Sequence, residues 1–286
     1  AKAIGARVAR PDKSLDKMEG ILKVLRPLPL LIAVPTTAGT GSETTLAAVI
    51  VDAKTRHKYP INDFPLIPRY AVLDPEVTKS LPPALTATTG MDALTHAVEA
   101  YIGRSTTKET RQDAVNAVRL IFANIREAYQ DGSNMRARKQ MLRAAYLAGN
   151  AFTRSYVGYV HAVAHSLGGK YNTPHGLANA VLLPFVLEAY GQTAHRPLHA
   201  LAVAVGISDW RESDEEGAVK FIEAIRQMKK DLSIGDTICG IQKKDIPGLA
   251  RQAEKEANPL YPVPDLMTAK QLEEFYYMVM EEETHA

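Results

Sequence analysis

Residues 159–176 read Tyr159-Val160-His161-Ala162-Val163-Ala164-His165-Ser166-Leu167-Gly168-Gly169-Lys170-Tyr171-Asn172-Thr173-Pro174-His175-Gly176 and hold three of the eight histidines in the chain. The small and apolar residues between the first two histidines predict a helix. On it, His161 and His165 stand at i and i+4, so both imidazoles leave one face a turn apart. The Gly168-Gly169 pair predicts the end of that helix. Thr173-Pro174 predicts a turn that brings His175 back toward the same face.

A second fragment, Gly90-Met91-Asp92-Ala93-Leu94-Thr95-His96-Ala97-Val98-Glu99-Ala100-Tyr101, repeats the spacing with Asp92 and His96. Leu94, Ala97, Val98 and Tyr101 are available for packing. A lone histidine on an apolar helix face is ordinarily a satisfied core or surface residue. Two helices each carrying a polar i, i+4 pair among apolar neighbours are harder to explain that way, because a buried polar group without a partner costs about 1–3 kcal/mol. A carboxylate and imidazoles that face two or three further imidazoles make a nitrogen-and-oxygen site suited to a divalent transition metal.

These fragments, with Thr36-Thr37-Ala38-Gly39-Thr40-Gly41-Ser42-Glu43 ahead of them and Pro174-His175-Gly176 at the end, resemble the iron-containing (group III) alcohol dehydrogenases, of dehydroquinate synthase-like fold. The resemblance runs through nearly the whole chain, with the motifs in family order. It implies metal ligation by Asp92, His96, His161 and His175, and a place for His165 beside nicotinamide and substrate. It matches Thr36, Thr37, Thr40, Thr45 and Lys58 to cofactor-contacting positions. The implied activity is hydride transfer between a small primary alcohol or aldehyde and NAD or NADP, with Fe2+ as the family metal and Zn2+ compatible with the same ligands. A homo-oligomer is the family expectation. Alternatives are an inactive metal-binding or oligomerisation fragment, and another enzyme of this fold such as a glycerol dehydrogenase.

With 286 residues, 46% of them hydrophobic and 23% charged, the chain has the composition of a globular protein with a substantial core. A formal charge of +2 without long runs of one sign gives no reason to expect a nucleic-acid partner. Met135-Arg136-Ala137-Arg138-Lys139 and Gln242-Lys243-Lys244 read as solvated helix or loop surface. One cysteine, Cys239, excludes an intrachain disulfide and reads as structural. No apolar run spans a bilayer and no signal pattern is seen, so no membrane partner and a cytoplasmic location are expected.

The expected fold class is mainly α. Residues 1–81 read as the remnant of an α/β, Rossmann-like dinucleotide-binding domain, and residues 82–286 as an all-helical metal-binding domain. Ala1 to Ala9 reads as a helix already under way, and by the resemblance the Gly-rich pyrophosphate turn and the larger part of the nucleotide-binding domain would precede it. Dinucleotide binding and turnover are therefore expected to be impaired. Strands are expected at 31–35, 47–52 and 70–73, with 57–61 as an edge strand. Helices are expected at 108–129, 133–152, 159–167, 178–189, 197–205, 212–231, 244–257 and 268–283, with Ser133 and Thr268 as caps. His195 and His199 are expected at the surface, Trp210, Tyr276 and Tyr277 in packing, and His57 and His285 without a constellation.

Overall fold

A computed structural model describes residues 1–52 and 58–281 of the chain. His57 and His285 lie outside the described residues. The first part is a small α/β layer: α1 (Lys2–Ala9), β1 (Gly20–Ile21), β2 (Ile32–Ala33), β3 (Ala47–Val51), β4 (Lys58–Asn62) and β5 (Tyr70–Ala71). One sheet has the order β1-β4-β3, and β2 pairs with β5 in parallel in a second. β4 is thus the central strand, where an edge was expected. Its Pro60 cannot donate to a ladder, but β1 pairs only with Ile61 and Asn62, past the proline. The two-residue β1 is too short to leave a periodic signal.

Nine longer helices follow among the described residues: α2 (Pro83–Ile102), α3 (Lys108–Gln130), α4 (Met135–Ser155), α5 (Tyr159–Tyr171), α6 (His175–Ala189), α7 (Gln192–Ala204), α8 (Asp214–Asp231), α9 (Ile246–Ala257) and α10 (Ala269–Val279). Their apolar faces merge into one core, with α2 buried along nearly its whole second half. A separate small cluster around Met18, Tyr59, Ile61 and Leu66 serves the α/β layer. No helix among the described residues is long and apolar enough to cross a membrane.

Several helix ends differ from expectation for identifiable reasons. α5 runs through Gly168 and Gly169 to Tyr171, and the left-handed residue after it is Asn172 at φ 56°; asparagine tolerates that region and can close a helix as glycine does. Asn134, not Ser133, caps α4: the Ser133 amide and hydroxyl both turn to Asp131, leaving Asn134 Oδ1 to accept from the Ala137 amide at 3.0 Å. Thr268 does cap α10, in a reciprocal box with Gln271. α10 stops at Val279 because its carbonyl there accepts from the Ile238 amide and Met280 bridges to Ile238. α6 starts at His175 and α7 at Gln192, each earlier than expected.

Side-chain placement departs from expectation at five further positions, the first being Tyr277, which is exposed on α10 and not packed. Arg138 is buried, its guanidinium donating to the carbonyls of Gly132 and Leu81 and to Thr86 Oγ1 at 2.7–3.1 Å. His199 is buried between Asp214 Oδ1 and the Asp209 carbonyl, both at 3.0 Å. Trp210 is 73% exposed, with Arg211 over its ring. Cys239 is exposed and its thiol donates to Glu281.

Candidate metal centre

Three helices supply the site. α2 presents Asp92 and His96 on its buried face, α5 presents His161 near its first turn, and α6 begins with His175. The close approach of α6 to α2 needs Gly176, because a Cβ there would collide with the Thr88 carbonyl. One potential ligand atom from each of Asp92, His96, His161 and His175 lies within 4.8 Å of all the others. Asp92 Oδ1 stands 3.8 Å from His161 Nε2 and 3.5 Å from His175 Nε2, and Asp92 Oδ2 stands 4.0 Å from His96 Nδ1. The His96 ring is sandwiched between Phe152 at 4.1 Å and His161 at 4.4 Å, centroid to centroid. Asp92, His96 and His161 are buried, whereas the His175 side chain is 34% exposed and opens the cluster to one side.

Burial holds His161 well below the usual imidazole range, with the neighbouring histidines adding to the effect, and burial lowers His96 as well. Neutral imidazoles are what ligation requires. Two observations show that the residues fit a cation. His96 Nδ1 is buried without a hydrogen-bond partner. The Asn179 amide nitrogen approaches Asp92 Oδ1, His161 Nε2 and His175 Nε2 at 2.7, 3.1 and 3.2 Å. A carboxylate oxygen and two ring nitrogens thus converge on one small buried space, which a single amide nitrogen fills. One carboxylate and three imidazoles, without sulfur, suit Fe(II) or Zn(II).

His165 adjoins the cluster. Its ring stacks on that of His175 at 5.2 Å, and its Nδ1 lies 2.6 Å from Glu256 Oε1, which also accepts from the Tyr261 hydroxyl. Glu99, on the same helix as Asp92 and His96, sends Oε2 to within 2.5 Å of His161 Nδ1, and burial pushes its carboxyl up to about 8. Glu99, Asn179 and Glu256 were not singled out in the sequence. Glu99 at i+3 from His96 and Asn179 at i+4 from His175 lie at positions where helical spacing could have found them. Glu256, 91 residues from its partner, leaves no such trace.

The threonine loop borders the same site. Gly39 packs so tightly on α2 that a Cβ would meet Thr89 at 2.7 Å, and Ala38 joins the helical core. Thr36 and Thr40 are exposed and Thr37 half-buried, and the Thr40 hydroxyl accepts from the Ser42 amide at 3.4 Å. Thr45 is buried, and its hydroxyl accepts from Lys2 Nζ at 2.9 Å. Lys58 pairs with Val51 in β4, and its side chain lies outside the described residues.

Comparison with known proteins places this arrangement. Residues 86–280, which hold all four clustered side chains, match the Fe-containing alcohol dehydrogenase family, C-terminal, and residues 1–75 match the iron-containing alcohol dehydrogenase family. The chain is 42% identical over 260 residues to the 1,3-propanediol dehydrogenase of Klebsiella pneumoniae, covering 90% of this chain and 67% of that one. It is 37% identical to the NAD-dependent methanol dehydrogenase of Bacillus methanolicus, over 88% of this chain and 67% of that one. The alcohol dehydrogenase from Oenococcus oeni superposes with a TM-score of 0.91 at 36% identity, over 96% of this chain and 72% of that one. This chain thus spans about two thirds of the length of such relatives. With matches to both parts of the family and a superposable fold, the chain belongs to the iron-containing alcohol dehydrogenase family.

Proposed function

We propose that the protein carries out metal-dependent hydride transfer between a small primary alcohol or aldehyde and NAD or NADP. The observation that carries this reading is the set Asp92, His96, His161 and His175, three of them buried, whose ligand atoms converge within 4.8 Å beside a threonine-rich loop. Those four side chains would hold Fe(II), with Zn(II) able to replace it. When bound, the metal supplies Lewis-acid polarisation of the alcohol or carbonyl oxygen, and the nicotinamide supplies the hydride chemistry.

The remaining work falls to the chain itself. The exposed side of His175 admits substrate, while Phe152 and the buried half of α2 exclude water from the other side. His165 acts as proton relay: Glu256 holds its Nδ1 proton, so Nε2 is left to take the proton released by the alcohol or return it to the product. Thr36, Thr37 and Thr40 offer hydroxyls and backbone amides to the dinucleotide. Thr45, engaged with Lys2, would support the loop rather than touch the ligand. The reading extends to a domain boundary near residue 81, a cytoplasmic location and a homo-oligomer.

Elemental analysis after anaerobic loading with Fe(II), paired with a fluorescence titration of NADH and NADPH, tests the proposal. One tightly held metal per chain is the expected result. No retained metal under Fe(II) or Zn(II) loading would overturn the reading.

A further inference from the structure

We infer that Glu99 is the positioning residue of the metal centre: it caps α5 and fixes His161 in the tautomer whose Nε2 is free to ligate. The inference rests on the metal-binding reading above. Gly158, at the N-terminal boundary of α5, has no side chain with which to cap it, so the first-turn amides need another acceptor. Glu99 provides it from α2. Its side chain is 2% exposed, and Oε1 accepts from the Val160 amide at 2.8 Å while Oε2 meets His161 Nδ1 at 2.5 Å.

Gly158 makes this reach possible, since a Cβ there would stand 2.8 Å from Glu99 Oε1. The far side of the ring reports the tautomer independently. Asn179 Nδ2 lies 2.7 Å from Asp92 Oδ1, and a carboxylate oxygen takes the nitrogen end of the amide as donor. The same nitrogen lies 3.1 Å from His161 Nε2. Nε2 is therefore an acceptor, Nδ1 carries the hydrogen, and that hydrogen points at Glu99. A carboxylate that holds the non-ligating nitrogen of a metal-bound histidine sets ring orientation and basicity, and its loss typically costs about 10–100-fold in metal affinity.

The test uses the full chain and the metal alone. Zn(II) affinity is measured by chelator competition for wild type, Glu99→Gln and Gly158→Ala, with circular dichroism for folding and Co(II) absorption for the ligand field. Glutamine keeps the shape but has one acceptor oxygen for two N–H donors, and alanine at 158 displaces the carboxylate without altering any charge. Both variants are expected to fold, to bind Zn(II) about 10–100-fold more weakly and to shift the Co(II) bands. Wild-type affinity and spectrum in both variants would overturn the inference and leave Glu99 as a helix cap only. If Glu99→Gln does not fold, Gly158→Ala decides by the same readings. A wild-type protein that binds no metal would overturn the inference together with the metal-binding reading, and the wild-type measurement identifies that case.

Discussion

At the scale of single residues, the cluster divides into side chains that converge on one point and a neighbour that turns away. His175 Nε2 faces Asp92 Oδ1 at 3.5 Å, whereas His165 directs Nδ1 to Glu256. His175→Ala is therefore expected to lose the metal, while His165→Ala retains it at full stoichiometry. Metal analysis of the two purified variants checks this, and loss of metal from His165→Ala would contradict the division. His199 offers a different test. Its hydrogen bond to Asp214 raises it above the usual imidazole range, and the Asp209 carbonyl takes its second nitrogen. A group raised on folding contributes stability that is fully present below its unfolded value of about 6.5 and is lost as pH rises through the folded value. The stability deficit of His199→Gln, measured by urea unfolding, is expected to be larger at low pH and to shrink on the alkaline side. A deficit that grows with pH would refute it.

At the scale of elements, the existence of the helices was legible because each buries one face of a periodic pattern, as in α3, α4 and α8. Their ends were less legible, because competing local partners decide them. Ser133 is a good capping residue on its own, but Asp131 captures it first. Gly168-Gly169 is a stop signal that the helix passes, going on to Tyr171 before the left-handed Asn172 closes it. The site shows the same division. The i, i+4 pairs placed Asp92, His96 and His161 on facing surfaces, but the partners Glu99, Asn179 and Glu256 depend on how the helices meet. That meeting can be tested at Gly176, where α6 rests on the α2 backbone. Gly176→Ala is expected to push the start of α6 away from α2, costing about 1–3 kcal/mol of stability and weakening metal retention, since His175 is the adjacent residue. Unchanged thermal stability and metal content would show that the contact yields without consequence.

At the scale of the whole molecule, two bodies of unequal solidity share one chain. The helical core runs through α2 and gathers side chains from almost every later helix, whereas the α/β layer has a small cluster of its own. Its short parallel pair β2–β5 leaves Ile32, Val34, Tyr70 and Val72 about half exposed. Amides that sit over few buried contacts open at lower free energy than those of a packed core. Hydrogen exchange in β1–β5 is thus expected to be faster than in α2 and α5. The metal ligands all lie on α2, α5 and α6, so a bound cation stabilises the helical body selectively. At a metal concentration about 100 times the dissociation constant, the gain is about 2.7 kcal/mol, which raises the melting temperature of that body by roughly 5–10 °C. Adding a chelator to the metal-loaded protein should therefore lower the melting temperature and speed exchange in the core amides of α2 and α5, while leaving exchange in β3 and β4 unchanged. Equal acceleration in both regions would mean that they open as one cooperative unit. The loop that packs Ala38 and Gly39 onto α2 would then be the element that couples them.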